Sequence, residues 1–281
     1  MRPLLVLSLL VAALPASAQR PKTLPPVDST AVIKFDMTKG PKRVGRVVAA
    51  DDSSLSIVTL AAATVVLPRD SIEDWHRLLG TVTPAGWRPT DLATSHLFFG
   101  PTARRPLAQG CCSVVDIDVF IAAVGVRVHD RVMLSVGASL LESPDTPRDS
   151  AGGIHFADAR LGLAGGRRAA VAVGAFWGAF TGPNGGSVGA GYGVVTLGGN
   201  DHAVTVLGGY PFATRSFAAD PIVMLGGETR VGRRFKLLTE IWKLPQIRGV
   251  PIVYGVRWLG DEFAVEAGVG SAPWLAVKAG W

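Results

Sequence analysis

The sequence predicts an all-β protein in which a small β domain precedes an up-and-down antiparallel barrel of about twelve strands that spans a membrane. Two observations indicate this class. The chain of 281 residues contains 34 glycines, 48% of its residues are hydrophobic and only 18% are charged. Yet its longest apolar run beyond the N-terminal segment, Ala169 to Phe180, is shorter than the ~18 residues that a spanning helix needs. Because backbone amides in hydrocarbon must be paired within the protein, a closed barrel is the remaining spanning structure.

The first residues have the pattern of a secretory signal peptide. Arg2 supplies a positive charge, Leu4 to Leu14 form an apolar core, and Ala16-Ser17-Ala18 forms a small-residue cleavage site. We therefore expect residues 1–18 to be removed and the mature chain to begin near Gln19. A glutamine at that position, where a lipoprotein has cysteine, argues against a lipid anchor.

Composition divides the rest of the chain into four parts. Residues 19–30 are polar and proline-rich, which is typical of a linker. Residues 31–79 contain short β-like runs separated by turn signals such as Lys39-Gly40-Pro41. Residues 80–91 read as a connector, and residues 92–281 show the glycine-rich alternation expected of the barrel.

The segment GRVVAADDSSLSIVTLAAATVVLPRDSIEDW, within residues 31–79, resembles the small SH3-like or Sm-like barrels attached to bacterial envelope proteins. The resemblance implies a compact β domain in the periplasm. It does not imply RNA binding, because the domain would lie outside the cytoplasm.

Alternating runs predict the barrel strands individually. They are Leu92–Phe99, Ser113–Val128, Arg131–Leu141, Ile154–Ala164, Arg167–Phe180, Ser187–Leu197, His202–Tyr210, Pro221–Val231, Arg233–Lys243, Pro251–Leu259, Glu262–Val269 and Trp274–Trp281. The connections between them alternate between short turns, such as His129-Asp130, and longer loops, such as Gly100 to Cys112. This alternation predicts a meander with both chain ends on the periplasmic side.

Charged residues indicate which side of each strand faces the lumen. Five strands carry two charges each, and each pair falls on one side, as Lys236 and Glu240 do, because a charge facing lipid costs about 2–4 kcal/mol. The predicted lumen-facing residues are Asp116, Asp118, Asp158, Arg160, Glu228, Arg230, Lys236, Glu240, Arg257, Glu262, Glu266 and Lys278. Acidic and basic groups nearly cancel, which argues against strong ion selectivity. It favours salt-bridged cross-links that brace and plug a narrow barrel.

The uncharged sides carry amphipathic aromatic residues, which are typical of the lipid–water boundary. The predicted boundary residues are Trp177, Tyr192, Tyr254, Trp258 and Trp281. Gly189, Gly191 and Gly193 are predicted to alternate on the lumen side and to thin the interior wall.

Three segments, TSHLFFGPTARRPLAQG, AGYGVVTLGGNDHAVTVLGGY and RVGRRFKLLTEIW, resemble an uncharacterised family of bacterial outer-membrane β-barrel proteins, some with a small N-terminal β domain. The terminal Trp281 resembles the C-terminal insertion signal of Gram-negative barrels. The resemblance covers residues 92–281. It implies residence in the outer membrane of a Gram-negative-type bacterium, with outer-membrane lipid and the barrel assembly machinery as partners.

No motif indicates chemistry. His155 and Asp158, the one conceivable external pair, are three residues apart and fall on opposite strand faces. Cys111-Cys112 is expected in an external loop, without further metal ligands. The basic residues are scattered, which argues against nucleic-acid binding. We therefore predict no catalytic, cofactor or metal site, and a narrow pore for a small solute or a structural barrel. The alternatives are a barrel enzyme hydrolysing lipid or peptide, and an adhesin or binding module formed by external loops.

Overall fold

The computed structural model describes residues 25, 27, 30–105, 113–118, 121–139, 153–166, 168–180, 186–213, 220–245, 249–261, 263–270 and 273–280, with the backbone alone for residues 113–118, 180, 213, 279 and 280. The chain divides into two compact units, Met1–Thr90 and Asp91–Trp281. The prediction of a nearly all-β chain is confirmed. Among the described residues, no helix is long and apolar enough to cross a membrane.

The first unit contains a meander of short antiparallel strands. Its strands are β1 (Val32–Met37), β2 (Arg43–Ala50), β3 (Ser54–Thr59), β4 (Thr64–Pro68), β5 (Ile72–Leu78), β6 (Gly80–Thr83) and β7 (Gly86–Pro89), with a 3-10 turn at Arg69–Ser71. The first five form one sheet in the order β4-β3-β2-β1-β5. Strands β6 and β7 form a separate hairpin in the region that the sequence indicated as a connector. Trp87 of that hairpin packs with Val32 and Leu78.

Alternation builds the core of this five-stranded sheet. In β3, Leu55 and Ile57 are fully buried while the neighbouring Ser54 and Ser56 are not. Phe35 of β1 is also fully buried and joins them in one apolar cluster. The pattern of a sheet with one apolar face is therefore realised here.

Replacing Phe35 by alanine is expected to unfold this sheet preferentially. Removing a buried phenylalanine costs about 3–5 kcal/mol, a large part of the stability of a small domain. Hydrogen exchange of the full chain should show lost protection in β1 to β5. As the control, Val66→Ala removes a side chain that is 59% exposed and should leave exchange unchanged. Equal protection in both variants would contradict this account of the core.

The second unit is a large antiparallel sheet. Its strands are β8 (Ser113–Asp118), β9 (Ile121–His129), β10 (Val132–Ser139), β11 (Ile154–Gly165), β12 (Ala169–Phe180), β13 (Gly186–Gly198), β14 (His202–Ala213), β15 (Ile222–Arg230), β16 (Phe235–Lys243), β17 (Ile252–Leu259), β18 (Phe263–Val269) and β19 (Pro273–Gly280). Consecutive strands pair, and β8 also pairs with β19, so the sheet closes on itself as a barrel.

Two strand predictions were wrong. The predicted strand Ser113–Val128 is two strands, β8 and β9, which pair with each other. No glycine or proline marks the reversal between β8 and β9, so the alternating pattern predicted one continuous strand there. The predicted strand Leu92–Phe99 is not a strand but a series of turns. The two errors offset each other in the strand total.

The connections lie at two distinct ends of this barrel. Turns such as residues 130–131 and 199–201 form one end, called the short-turn end. The strand ends at Ser139 and Ala213 and the strand starts at Ile154 and Ile222 lie at the other, called the long-loop end. Ser113 pairs with Val126, close to where β9 ends, so β8 begins at the short-turn end. Gly100 to Cys112 were predicted among the longer loops, but the strand that follows them begins at the short-turn end, and residues 106–112 lie outside the described part of the chain. Cys111 and Cys112 themselves lie outside the described residues.

Candidate functional site

Residues 91–105, called the inner hairpin, lie inside the barrel. Thr102 N–H donates to the Ser95 carbonyl at 2.9 Å, and Leu97 N–H donates to the Gly100 carbonyl at 2.9 Å. An isolated bridge joins His96 to Pro101. The chain thus enters at the short-turn end, reverses at a tip formed by residues 97–100, and returns.

Asp91 anchors the start of the inner hairpin through two buried ion pairs. Its Oδ2 lies 2.6 Å from Lys236 Nζ and 2.8 Å from Arg257 Nη1, and all three side chains are fully buried. Burial alone would raise the pKa of Asp91, but the charges of Arg257 and Lys236 outweigh it and hold the pKa well below its ordinary value. Asp91 therefore remains ionised where a free aspartate would begin to titrate.

Basic residues of the barrel wall also bind carbonyl groups of the tip. Arg257 Nη2 donates to the carbonyls of His96 and Leu97, each at 2.9 Å. Lys278 Nζ donates to the carbonyls of Leu97 at 2.8 Å and Phe98 at 3.2 Å. These carbonyl groups accept no hydrogen bond within a strand, and they accept hydrogen bonds from charged side chains instead.

Glu240 binds the other side of the tip. Its Oε1 accepts the backbone N–H groups of Phe98 at 2.5 Å and of Phe99 and Gly100 at 3.0 Å each. Its Oε2 accepts Trp242 Nε1–H at 2.9 Å. Three successive amides that converge on one carboxylate form a backbone anion site of the kind called a nest.

The returning arm is bound by Arg160, Thr196 and Glu228. Arg160 Nη1 donates to the carbonyls of Ser95 at 2.9 Å and Thr102 at 2.6 Å. Thr196 Oγ1 accepts the N–H of Ala103 at 2.9 Å, and Arg104 pairs with Glu228. Both arms of the inner hairpin are therefore bound to the barrel wall.

The wall charges also pair across neighbouring strands. Lys236 Nζ lies 2.8 Å from Glu228 Oε2, Arg257 Nε lies 2.5 Å from Glu266 Oε1, and Lys278 Nζ lies 3.1 Å from Glu266 Oε2. The exposed fractions of Lys236, Arg257 and Glu266 are 0%. No water-sized passage therefore runs beside these three side chains.

A glycine in the wall admits the tip. A Cβ at Gly226 would stand 2.1 Å from Leu97 Cδ1, so only glycine leaves room for Leu97 at this close approach. Leu97 and Phe98 belong to an apolar cluster with Tyr192, Leu207 and Met224. Packing therefore adds to the polar contacts that hold the inner hairpin.

The structure places most of the predicted lumen residues on the buried side of the barrel. Arg230 is also buried but binds at the short-turn end, with its Nε 2.7 Å from Asp201 Oδ1. Asp158 accepts Tyr192 O–H at 2.7 Å. The side chains of Asp116 and Asp118, and all of Glu262 and Trp281, lie outside what is described.

Predicted boundary aromatics divide between the two faces. Trp177 and Tyr254 are on the outer face, 46% and 60% exposed, and Trp258 is partly exposed there, with the Arg234 guanidinium 5.9 Å from the centre of its ring. Tyr192 contradicts its prediction: it is buried inside, because its hydroxyl finds Asp158 there.

The prediction of which side of β13 faces the lumen was therefore wrong. Gly191 and Gly193 lie on the outer face, where nothing stands within 4 Å of an added Cβ. Gly189 is also outward, beneath the ring of Phe212. A strand without charges offered no residue to establish its inner side.

Sequence reasoning missed the inner hairpin because its apolar residues look like a short strand. The available signal was the polar run Thr94-Ser95-His96, which interrupts the alternation, together with Asp91 directly before it. Neither feature identifies a partner, since Asp91 meets Lys236 and Arg257 only in three dimensions.

A cavity of about 440 Å³, called the chamber, lies between the tip and the long-loop end. Its lining includes Phe98 and Phe99 of the tip, Ile154 and Ile222 at strand starts, and Asp158. The barrel interior thus has a charged, filled half and an apolar, open half. Among the described residues, no group of acidic, histidine or cysteine side chains could hold a metal ion.

No protein-family model matches this sequence, and no curated protein is significantly similar to it. Among solved structures, the KdgM porin in complex with disordered oligogalacturonate is 11% identical, with a TM-score of 0.41 over 60% of this chain and 95% of that one. Outer-membrane expressed OmpT of Vibrio cholerae is 14% identical, with a TM-score of 0.32 over 90% of this chain and 95% of that one. Such weak similarity assigns no family, so function is inferred from the geometry of this chain.

Proposed function

We propose that this protein is an integral outer-membrane β-barrel, without enzymatic activity, in which the inner hairpin closes a narrow conduit for small solutes. Its N-terminal unit is an SH3-like domain in the periplasm, and the short-turn end of the barrel faces that compartment. The observation that carries the proposed function is the inner hairpin, because buried charges from the barrel wall hold it across the lumen.

The outer face supports placement in a membrane. Side chains that point outward from the strands are largely apolar and exposed, including Leu134, Val206, Leu225, Leu237 and Leu275. Aromatic residues occur near both ends of this face, with Tyr210 and Phe212 towards the long-loop end and Phe235 and Phe263 towards the short-turn end. Water would solvate such a face poorly, whereas hydrocarbon would cover it.

The absence of an enzymatic role is supported by how the candidate groups are arranged. His155 is exposed on the outer face, whereas Asp158 points inward to Tyr192. Ser95 Oγ lies 3.1 Å from His96 Nδ1, but Ser95 is fully buried and is not among the residues that line the chamber. A nucleophile and base must face a substrate together.

Exchange of residues 92–103 for a short Gly-Ser linker is expected to open the conduit. Purified wild-type protein in planar bilayers should be nearly silent, and this variant should show discrete conductance steps. The matched control exchanges an equal number of residues within 141–152, in the connection between β10 and β11. Heat-modifiable gel migration verifies that each variant is folded. If the wild type conducts as well as the linker variant, the inner hairpin is not the barrier; if a folded linker variant stays silent, the protein is a structural barrel.

A further inference from the structure

The chamber has the properties of a small-molecule site. Its volume of about 440 Å³ falls within the usual range for such sites, and its lining is mainly aromatic and aliphatic. Phe98, Phe99, Trp242 and Trp274 form the part nearest the tip, with Phe98 and Trp274 ring centres 4.7 Å apart. A ligand of this chamber therefore needs an apolar body.

One acidic group interrupts the apolar wall. Asp158 uses Oδ1 to accept Tyr192 O–H, but its Oδ2 is buried and has no hydrogen-bond partner among the described residues. Ser135 lies directly opposite Asp158 on the neighbouring strand. Its Oγ is also buried and has no hydrogen-bond partner among the described residues. Both atoms belong to residues that line the chamber. They mark a polar spot whose hydrogen-bonding capacity is unused among the described residues.

Asp158 has no direct ion pair with a described residue, whereas the other inward carboxylates whose side chains are described have either an ion pair or, in Glu240, four N–H donors. Glu228 pairs with Arg104 and Lys236, Glu266 pairs with Arg257 and Lys278, and Asp91 has two cations of its own. Arg160 lies two residues from Asp158 but donates to Ser95 and Thr102 of the inner hairpin. Arg160 therefore attracts Asp158 only through space, and a ligand ammonium would supply the direct charge-assisted hydrogen bond that Asp158 Oδ2 lacks.

We infer that the chamber binds a small amphiphilic amine: an aromatic or short aliphatic body with one primary ammonium group. The ammonium donates to Asp158 Oδ2 and Ser135 Oγ, and the body fills the aromatic part of the chamber. Phe156 and Phe176, stacked with their ring centres 5.9 Å apart, lie beside this position, since Phe176 is the cross-strand neighbour of Asp158. Aromatic faces add cation–π attraction for such a group.

The test uses three probes with one body and different heads: phenylbutylamine, phenylbutanol and phenylbutyrate. Each is titrated at neutral pH into the purified full chain in nanodiscs, with tryptophan fluorescence as the readout, which is independent of conductance. The amine should bind saturably and about tenfold or more tightly than the alcohol, and the acid should bind weakest, because a charge-assisted hydrogen bond is worth one or more powers of ten in affinity.

Asp158→Asn should abolish the advantage of the amine over the alcohol and leave binding of the alcohol unchanged. Asparagine retains an oxygen for Tyr192, and gel migration verifies the fold. Asp130→Asn, at an exposed turn, is the matched control and should bind like the wild type. If Asp158→Asn does not fold, Ser135→Ala should still weaken amine binding severalfold and spare the alcohol. Equal affinity for all three probes, no saturable binding, or an amine preference that survives both substitutions would overturn the inference.

Discussion

Replacing Asp91 by asparagine is expected to release the inner hairpin and open the lumen. The substitution removes the charge that Lys236 and Arg257 share at 2.6 and 2.8 Å, in a place where all three side chains are fully buried. Removing one partner of a buried ion pair typically costs about 3–5 kcal/mol, because the remaining charge is left uncompensated. Planar-bilayer recordings should change from near silence to frequent conductance steps.

Two further variants distinguish charge imbalance from a general loss of folding. Asp220→Asn removes an exposed aspartate at a strand start and should leave the barrel silent. Asp91→Asn combined with Lys236→Met restores the charge balance, while Glu228 keeps its pair with Arg104. The double variant should therefore conduct less often than Asp91→Asn alone. If Asp91→Asn were as silent as Asp220→Asn, the ion pairs of Asp91 would not hold the inner hairpin.

Glu240→Ala is expected to loosen the tip specifically. The carboxylate accepts three successive N–H groups, those of Phe98, Phe99 and Gly100, and each buried amide left without an acceptor costs about 1–3 kcal/mol. Hydrogen exchange should accelerate by several orders of magnitude at these amides. Conductance should rise as well, since the tip and the arms are parts of one hairpin.

The matched control for this variant is Glu73→Ala, which removes an exposed glutamate from β5 of the first unit. It should change neither tip exchange nor conductance. Glu240→Gln should lie between Glu240→Ala and the wild type, because the amide retains one oxygen as an acceptor but loses the charge. Unchanged protection at Phe98 to Gly100 in Glu240→Ala would show that packing alone holds the tip.

Side-chain alternation predicted the barrel strands well where charges were present. Lys236 and Glu240 in β16, and Arg257 in β17, are buried on the inner face that their spacing indicated. The inference is robust because a strand has period two and a charge that faces lipid is costly. It was wrong in β13, which carries no charge: Ser187 and Thr196 fall on opposite sides of the strand, and the amphipathic ring of Tyr192 suits either face.

Long-range pairing limited the prediction of the candidate site. The nearly equal numbers of acidic and basic inward residues indicated salt-bridged cross-links. Several of these residues do form ion pairs between neighbouring strands. The principal partners of Lys236, Arg257 and Glu240 nevertheless come from residues 91–100, well over a hundred positions away along the chain. Nothing in the local pattern of Leu92 to Phe99 distinguishes a short strand from a hairpin that fills a lumen.

By itself, the sequence determined the all-β class, the inward side of the charged strands whose side chains are described, and the places of the short turns, because these depend on residues a few positions apart. Tertiary structure alone decided that the lumen is filled at the short-turn end, that Tyr192 faces inward and that, among the described residues, Asp158 Oδ2 lacks a hydrogen-bond donor in an apolar chamber. The physical reason is that closing the sheet brings distant strands to face one another across a narrow space. Which charge meets which partner then depends on register around the whole barrel.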